Sequence, residues 1–413
     1  MSLAAGFDKL RLAVVSPFLD RRHGTERCVI EQLEHFAANS GVEIHLYSQS
    51  VEDLAGVARY PDASSPARIL WHKVPRIRGP HLFAYSWWFF ANQAQRWWDS
   101  RIHGLKFDLL YSPGINALDA DAVVVHIVFH ELYFQLRAQL GFRDAPIANW
   151  PRLFHRQLYY RLLMGLERRI YRRRGISLAG VSGHVASQLK KHFQRDDATV
   201  IRNGVDPGRF SPELRLAQRD SVRAQFSLSP GDFCILLIGN DWKTKGLDAL
   251  LEAVAACREL PLKLLVVGSD DRTVYEPAVQ SHGIAGRVRF LDPSPDVLQF
   301  YTAADAYVGA SLEDAYGLPI LEAMACGLPV IASPRAGVSE IIINGRNGMI
   351  LRDAEDHQEL AELLRALCAN PGLCRRLGEE ARKTAQEQTW DRNAAEAWKF
   401  LQEAVAKKQR LKT

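Results

Sequence analysis

Residues Ser311 to Ala332 read SLEDAYGLPILEAMACGLPVIA, and the rest of the chain can be read outward from them. Gly317 allows a tight backbone approach. Pro319 suits the first turn of a helix, where its missing N–H would have no partner, and Leu321 to Ala325 continue that helix. Gly327 ends the helix and Pro329 opens a strand. Backbone amides near Leu318, with the helix dipole behind them, make an anion site that suits phosphate. Asp314 and Glu322 flank the turn. The same residues also read as an ordinary capped helix carrying two solvated acids.

Outward from this stretch, short β-rich runs alternate with longer helical patterns, the signature of parallel sheets covered by helices. In the first half, strands are expected at Leu12 to Ser16, Glu43 to Ser48, Leu109 to Tyr111, Ala122 to His126, Leu178 to Val181 and Thr199 to Arg202. Helices are expected at Glu26 to Asn39 and Ser182 to Phe193. Pro207, Gly208 and Pro212 mark a structured turn, after which the rhythm restarts. Strands follow at Cys234 to Gly239, Lys263 to Gly268 and Val288 to Leu291, and helices at Leu247 to Cys257 and Tyr275 to His282. The fold class is therefore α/β, with two Rossmann-like doubly wound domains facing across a cleft. Open parallel sheets take ligands at the carboxyl ends of their strands, which directs attention to the strand-to-helix loops.

The composition excludes several classes. A net charge of +5, from 52 basic against 47 acidic residues, is too mild to argue for nucleic acid. No uncharged apolar run approaches the ~18 residues of a membrane span; Leu82 to Ala91 comes nearest and contains Ser86. No export signal is evident at the N-terminus, so a cytoplasmic enzyme is expected. Six cysteines without a C-x-x-C pair read as buried free thiols rather than zinc ligands. No G-x-x-x-x-G-K-[ST] string exists, which excludes a P-loop hydrolase. Asp119-Ala120-Asp121 spells D-x-D but precedes a strand and reads as loop, so no metal site is expected.

Asp314 and Glu322, with seven residues between them and G-L-P-I-L-E-A-M-A-C-G-L-P-V around them, resemble the E-x7-E signature of the family 4 retaining glycosyltransferases. Other parts occur in the same order as in that family: Gly24-Thr25-Glu26-Arg27, Val181-Ser182, Arg202-Asn203-Gly204-Val205-Asp206 with Phe210, Lys245-Gly246, and Gly337 to Glu340 near Asn347-Gly348. The chain is also similar to lipopolysaccharide-core glucosyltransferases and other bacterial hexosyltransferases. The resemblance implies the GT-B fold, with an acceptor-side domain over 1–206 and a nucleotide-sugar domain over 207–388. A terminal helix over 389–413 would cross back towards the first domain.

The resemblance also assigns roles. Glu322 would accept hydrogen bonds from the donor ribose, and Asp314, at a position usually Glu, would contact hydroxyls of the transferred sugar; neighbouring Glu313 competes for that contact. Lys245 would neutralise the diphosphate. Lys243 would add the charge missing where the family has arginine and this chain has Asn240. Gly317 and Leu318 would meet phosphate through their amides, Leu291 would meet the base, and Gly24 would approach the donor. His126 would line the reaction centre, with His130 as the competing residue. A retaining transfer of a hexose from a nucleoside-diphosphate sugar to a saccharide or glycolipid of the cell envelope is implied, without a metal cofactor. An epimerase and a non-catalytic nucleotide-sugar-binding subunit are the alternatives.

Two further segments stand out. Arg152, Arg156, Arg161, Arg168, Arg169, Arg172, Arg173 and Arg174 interleave with apolar residues at helical spacing, and read either as a contact with anionic membrane at the inner face or as a solvated basic face. Phe83, Tyr85, Trp87, Trp88, Phe89, Phe90, Trp97 and Trp98 read as an acceptor wall, a membrane-facing patch or packed core.

Overall fold

The computed structural model describes residues 10–38, 41–58, 68–137 and 150–411. The expected end of the first helix at Asn39 lies outside them. The chain divides into two compact units, Met1–Ile201 together with Asp391–Thr413, and Arg202–Trp390. The first division falls a few residues before the expected 206/207 limit. From Asp391 onward the terminal segment groups with the first unit.

The first unit holds an eight-stranded parallel sheet. Its order is Thr199–Val200, Ser177–Gly180, Ala122–Val125, Leu109–Pro113, Leu10–Val15, Val42–Ser48, Ile69–Lys73, Val57–Ala58. The central strands are nearly continuous apolar runs because helices cover both faces, and Leu12, Val14, Ile44, Leu46, Val123 and Val125 are all fully buried. The strand Ile69–Lys73 and the long helix His81–Ile102 are additions to the sequence reading. The final helix, Trp390–Arg410, is bonded into this unit. Gln32 donates to Asn393 at 3.0 Å and accepts from Tyr111 at 3.0 Å, while Lys408 reaches the Asp121 carboxylate at 2.7 Å.

The second unit is a six-stranded parallel sheet ordered Val288–Leu291, Leu262–Val267, Phe233–Ile238, Ala306–Gly309, Val330–Ala332, Met349–Ile350. Numbered along the chain this is 3-2-1-4-5-6, the doubly wound order in which strand direction of travel reverses beside the first strand. The reversal lies between Phe233–Ile238 and Ala306–Gly309, and the second of these strands is absent from the sequence reading. Leu237, Leu250, Leu264, Ile331 and Leu364 pack the interior between sheet and helices. Cys28, Cys234, Cys257 and Cys326 are buried free thiols, whereas Cys368 and Cys374 are only half-buried, which corrects the expectation for those two.

Candidate functional site

At the carboxyl ends of the two strands that flank the reversal, two loops clasp each other. The loop after Ile238 turns through Asp241 and ends at Gly246, whose φ is +79°. A Cβ there would lie 1.9 Å from the Ala310 carbonyl oxygen, so only glycine lets the loops approach this closely. Leu312 donates to the Thr244 carbonyl at 2.8 Å and completes the clasp. Asp314 is pinned by its backbone, donating to Arg335 at 3.1 Å and accepting from Gly337 at 2.9 Å. The result places the Lys245 ammonium 2.5 Å from Asp314 Oδ2, with both side chains largely withdrawn from solvent.

This ion pair borders a small pocket lined by Leu237, Lys245, Tyr307, Ser311, Asp314 and Gly317, among others. Gly317, at φ +93°, is the N-cap of the helix Leu318–Ala325. Pro319 has no N–H, and Ile320 donates to the Gly317 carbonyl at 3.0 Å. The amides of Gly317 and Leu318 have no acceptor among the described residues. A cation and two amides without an acceptor at a helix N-terminus give this corner the chemistry of a phosphate cradle.

One turn further along the helix, Glu322 is only 4% exposed and accepts a hydrogen bond from the Tyr301 hydroxyl at 2.7 Å. Burial, reinforced by the Glu322 charge, raises the Tyr301 phenol well above its ordinary value. Neither Tyr301 nor Tyr307 was singled out in the sequence, where each sits in an apolar run with no motif around it.

The structure thus brings Lys245, Asp314 and Gly317 to one pocket, with Leu318 and Glu322 on the adjoining helix. Between Glu313 and Asp314, Asp314 is the one paired with Lys245. Lys243 is exposed and does not line the pocket. Leu291 ends the edge strand, two strands from the reversal, and its carbonyl accepts from Gly268 at 3.1 Å. Asn240 has a structural task in place of a positive charge: its side-chain oxygen takes the Ser269 N–H at 3.0 Å and hydroxyl at 2.9 Å, tying two neighbouring strand-end loops together.

In the first unit, His126 directly follows the strand Ala122–Val125 and is 6% exposed. Its Nε2 has no hydrogen-bond partner among the described residues. Burial pushes its pKa down to about 4, which keeps the ring neutral at pH 7. The competing His130 is fully engaged: its Nδ1 lies 2.6 Å from Glu167, and its Nε2 accepts from Arg168 at 3.0 Å. Glu167, itself completely buried, also caps the helix Phe129–Leu136 by accepting from the amides of Phe129 and His130. Gly24 is the exposed first residue of the helix Gly24–Ala38. In the D-x-D string, Asp119 is a bidentate partner of Arg96 at 2.6 and 2.8 Å, while Asp121 binds the Leu110 amide and Lys408. Among the described residues no cluster of three or more histidine, cysteine or acidic side chains is arranged to hold a metal ion.

Two Rossmann-like parallel sheets in one chain are the architecture of the GT-B class of glycosyltransferase fold. Residues 22–209 match the glycosyltransferase family 4 model and residues 218–384 the glycosyl transferases group 1 model. The chain therefore carries a glycosyltransferase family 4 domain followed by a glycosyl transferases group 1 domain. A D-inositol 3-phosphate glycosyltransferase of Rhodococcus jostii (strain RHA1) is 31% identical over 223 residues, 51% of this chain and 48% of that protein, so the chain spans about half the length of this relative. A protein of the same name from Pseudarthrobacter chlorophenolicus is 25% identical over 89% of this chain and 87% of its own. Among solved structures, WaaG, a glycosyltransferase involved in lipopolysaccharide biosynthesis, superposes with a TM-score of 0.73 at 20% identity over 94% of this chain and 98% of its own. HepE of Anabaena, solved in complex with UDP and glucose, superposes at 0.67 and 17% identity over 95% of this chain and 100% of its own. At these identities the two structures establish likeness of fold.

Proposed function

We propose that this protein is a retaining glycosyltransferase that moves a hexose from a nucleoside-diphosphate sugar to a hydroxyl of a saccharide or glycolipid acceptor. The observation that carries this reading is the second unit's corner, where Lys245, Asp314 and Gly317 line one pocket at the start of the helix Leu318–Ala325. Lys245 exchanges its bond to Asp314 for the diphosphate and stabilises the charge that builds as the sugar leaves. Asp314, released from the lysine, accepts from hydroxyls of the transferred sugar. Glu322 accepts from the ribose, and His126 lines the reaction centre as a neutral ring. The site needs no metal, because lysine and amides do its electrostatic work. With Asp314 taken up by hydroxyls of the sugar and Glu322 by the ribose and Tyr301, neither acid is left as a nucleophile, which favours front-face attack over a covalent glycosyl-enzyme.

A thermal-shift panel of UDP-, GDP- and ADP-sugars tests the reading, since a ligand at a hundred times its Kd stabilises by about 2.7 kcal/mol. No shift with any donor would sink it. NMR of the product should show the donor's anomeric configuration, with full rate in excess chelator; an epimerase would instead alter the sugar without an acceptor.

The acceptor side carries a membrane reading. Over residues 73–106 the only acid is Asp99 and over 150–176 the only acid is Glu167, and both are buried. The exposed charges of both segments are therefore all basic. Phe83, Trp87, Phe90, Trp97 and Trp98 stand exposed on the helix His81–Ile102, and Trp150, Phe154 and Leu158 at a spacing of four on the helix Trp150–Tyr171. Tryptophan and arginine without opposing acids suit the surface of an anionic bilayer. No helix among the described residues is long and apolar enough to cross one. Sedimentation with vesicles containing phosphatidylglycerol should fall as salt rises and nearly vanish when Arg168, Arg169, Arg172, Arg173 and Arg174 are neutralised. Binding that ignores salt would favour a merely solvated face.

A further inference from the structure

A buried carboxylate needs donors, and Glu322 meets one from an element that no family signature marks. Tyr301 lies on the short helix Leu298–Ala303 and is completely buried. Its ring is held edge-on by Phe210 at 5.7 Å and tilted against Tyr307 at 6.3 Å. Its hydroxyl lies 2.7 Å from Glu322 Oε2 and 3.2 Å from the Pro319 carbonyl oxygen. A phenol has one proton to give, and the shorter contact to a carboxylate takes it. Because burial and the neighbouring charge hold this phenol well above its ordinary pKa, it remains a donor throughout the working range of pH.

The last torsion of a glutamate is otherwise broad. A carboxylate that must face a pair of ribose hydroxyls gains from having that torsion set in advance. We propose that Tyr301 is a positioning residue: through its bond to Oε2 it sets the plane of the Glu322 carboxylate for the nucleotide ribose. This rests on the reading of Glu322 given above. Tyr301 itself touches no substrate.

Titration calorimetry separates the two ideas. UDP, GDP and ADP are titrated into the full chain, and the one that binds most tightly is compared with its 2′,3′-dideoxy form across wild type, Tyr301→Phe and Glu322→Gln. Tyr301→Phe should weaken the ordinary nucleotide roughly tenfold, the equivalent of about 1.4 kcal/mol, and leave the dideoxy form unchanged. A purely structural role would weaken both forms alike and overturn the proposal. If Glu322→Gln weakens the ordinary nucleotide while Tyr301→Phe does not, the tyrosine proposal fails and the Glu322 reading stands. If neither variant matters, or no nucleotide binds, both fail. Should Tyr301→Phe not fold, 3-fluorotyrosine at 301 keeps the hydroxyl with a stronger donor; the proposal requires nucleotide affinity at least equal to wild type, and weaker binding would overturn it.

Discussion

The two units share an architecture but have been put to different uses at their strand ends. In the second, Gly246 lies against the Ala310 carbonyl so closely that no side chain fits, and the loops so joined present a paired lysine and aspartate. In the first, Gly114 follows the strand Leu109–Pro113 with φ +89° and nothing within 4 Å of where a Cβ would stand. A doubly wound sheet therefore supplies the crevice, but only close backbone contact turns it into a site with fixed charges. The first unit instead offers a neutral buried histidine and a surface rich in exposed arginine and aromatic side chains.

The sharpest way to break this contrast is a pair of glycine substitutions. Gly246→Ala should destabilise the second unit by on the order of 4 kcal/mol, since the loop must move as well as adopt a strained φ. Gly114→Ala should cost only about 1–2 kcal/mol, the strain of a left-handed residue alone. Urea melts yielding equal losses would remove the distinction.

Next in size is a proton-linked effect confined to the first unit. His126 is neutral when folded, with its pKa held at about 4, against roughly 6.5 in the unfolded chain. A folded pKa below the unfolded one means that the unfolded state binds more protons between those values. The His126 contribution is therefore complete above about pH 6.5 and is lost as pH falls towards 4, on the order of 3 kcal/mol in all. Melting temperatures of His126→Gln should be flatter than wild type across that window, and parallel curves would contradict the assignment.

In the second unit, Lys245→Ala should lower turnover about a hundredfold while changing the melting temperature little, as steady-state kinetics beside a thermal melt would show. The smallest effect belongs to Lys243→Ala. With its ammonium exposed and away from the pocket, turnover should stay within about twofold of wild type, as expected for surface substitutions. A large loss would restore Lys243 to the phosphate site.

How much of this was legible in advance follows the same division. The alternating apolar runs located most strands to within a residue or two, because parallel strands buried on both faces leave an unmistakable hydrophobic block. The helix His81–Ile102 was hidden because its aromatics occupy every face: Trp88 and Phe89 are buried, while neighbouring Trp87 and Phe90 are exposed, so no stripe of one period emerges. Asp314 and Lys245 were legible as matches to a signature, but their pairing across 69 residues of sequence was not. Nor was the capture of His130 by Glu167, 37 residues away, which separates it from His126. Tyr301 left no trace at all, since a tyrosine in an apolar helix announces packing and gives no hint of the acid it will face.

The membership of Asp391–Thr413 in the first unit has a consequence for how the protein is made. The second unit is one continuous stretch of chain, complete once its last residue clears the ribosome. The first, begun earlier, must wait for Asn393 to meet Gln32 and for Lys408 to meet Asp121. Vectorial synthesis normally favours the N-terminal domain, but here the domain started first is finished last. A nascent chain halted near Trp390 would carry a complete second unit and a first-unit sheet still lacking one of its covering helices, with Gln32 and Asp121 yet to meet Asn393 and Lys408.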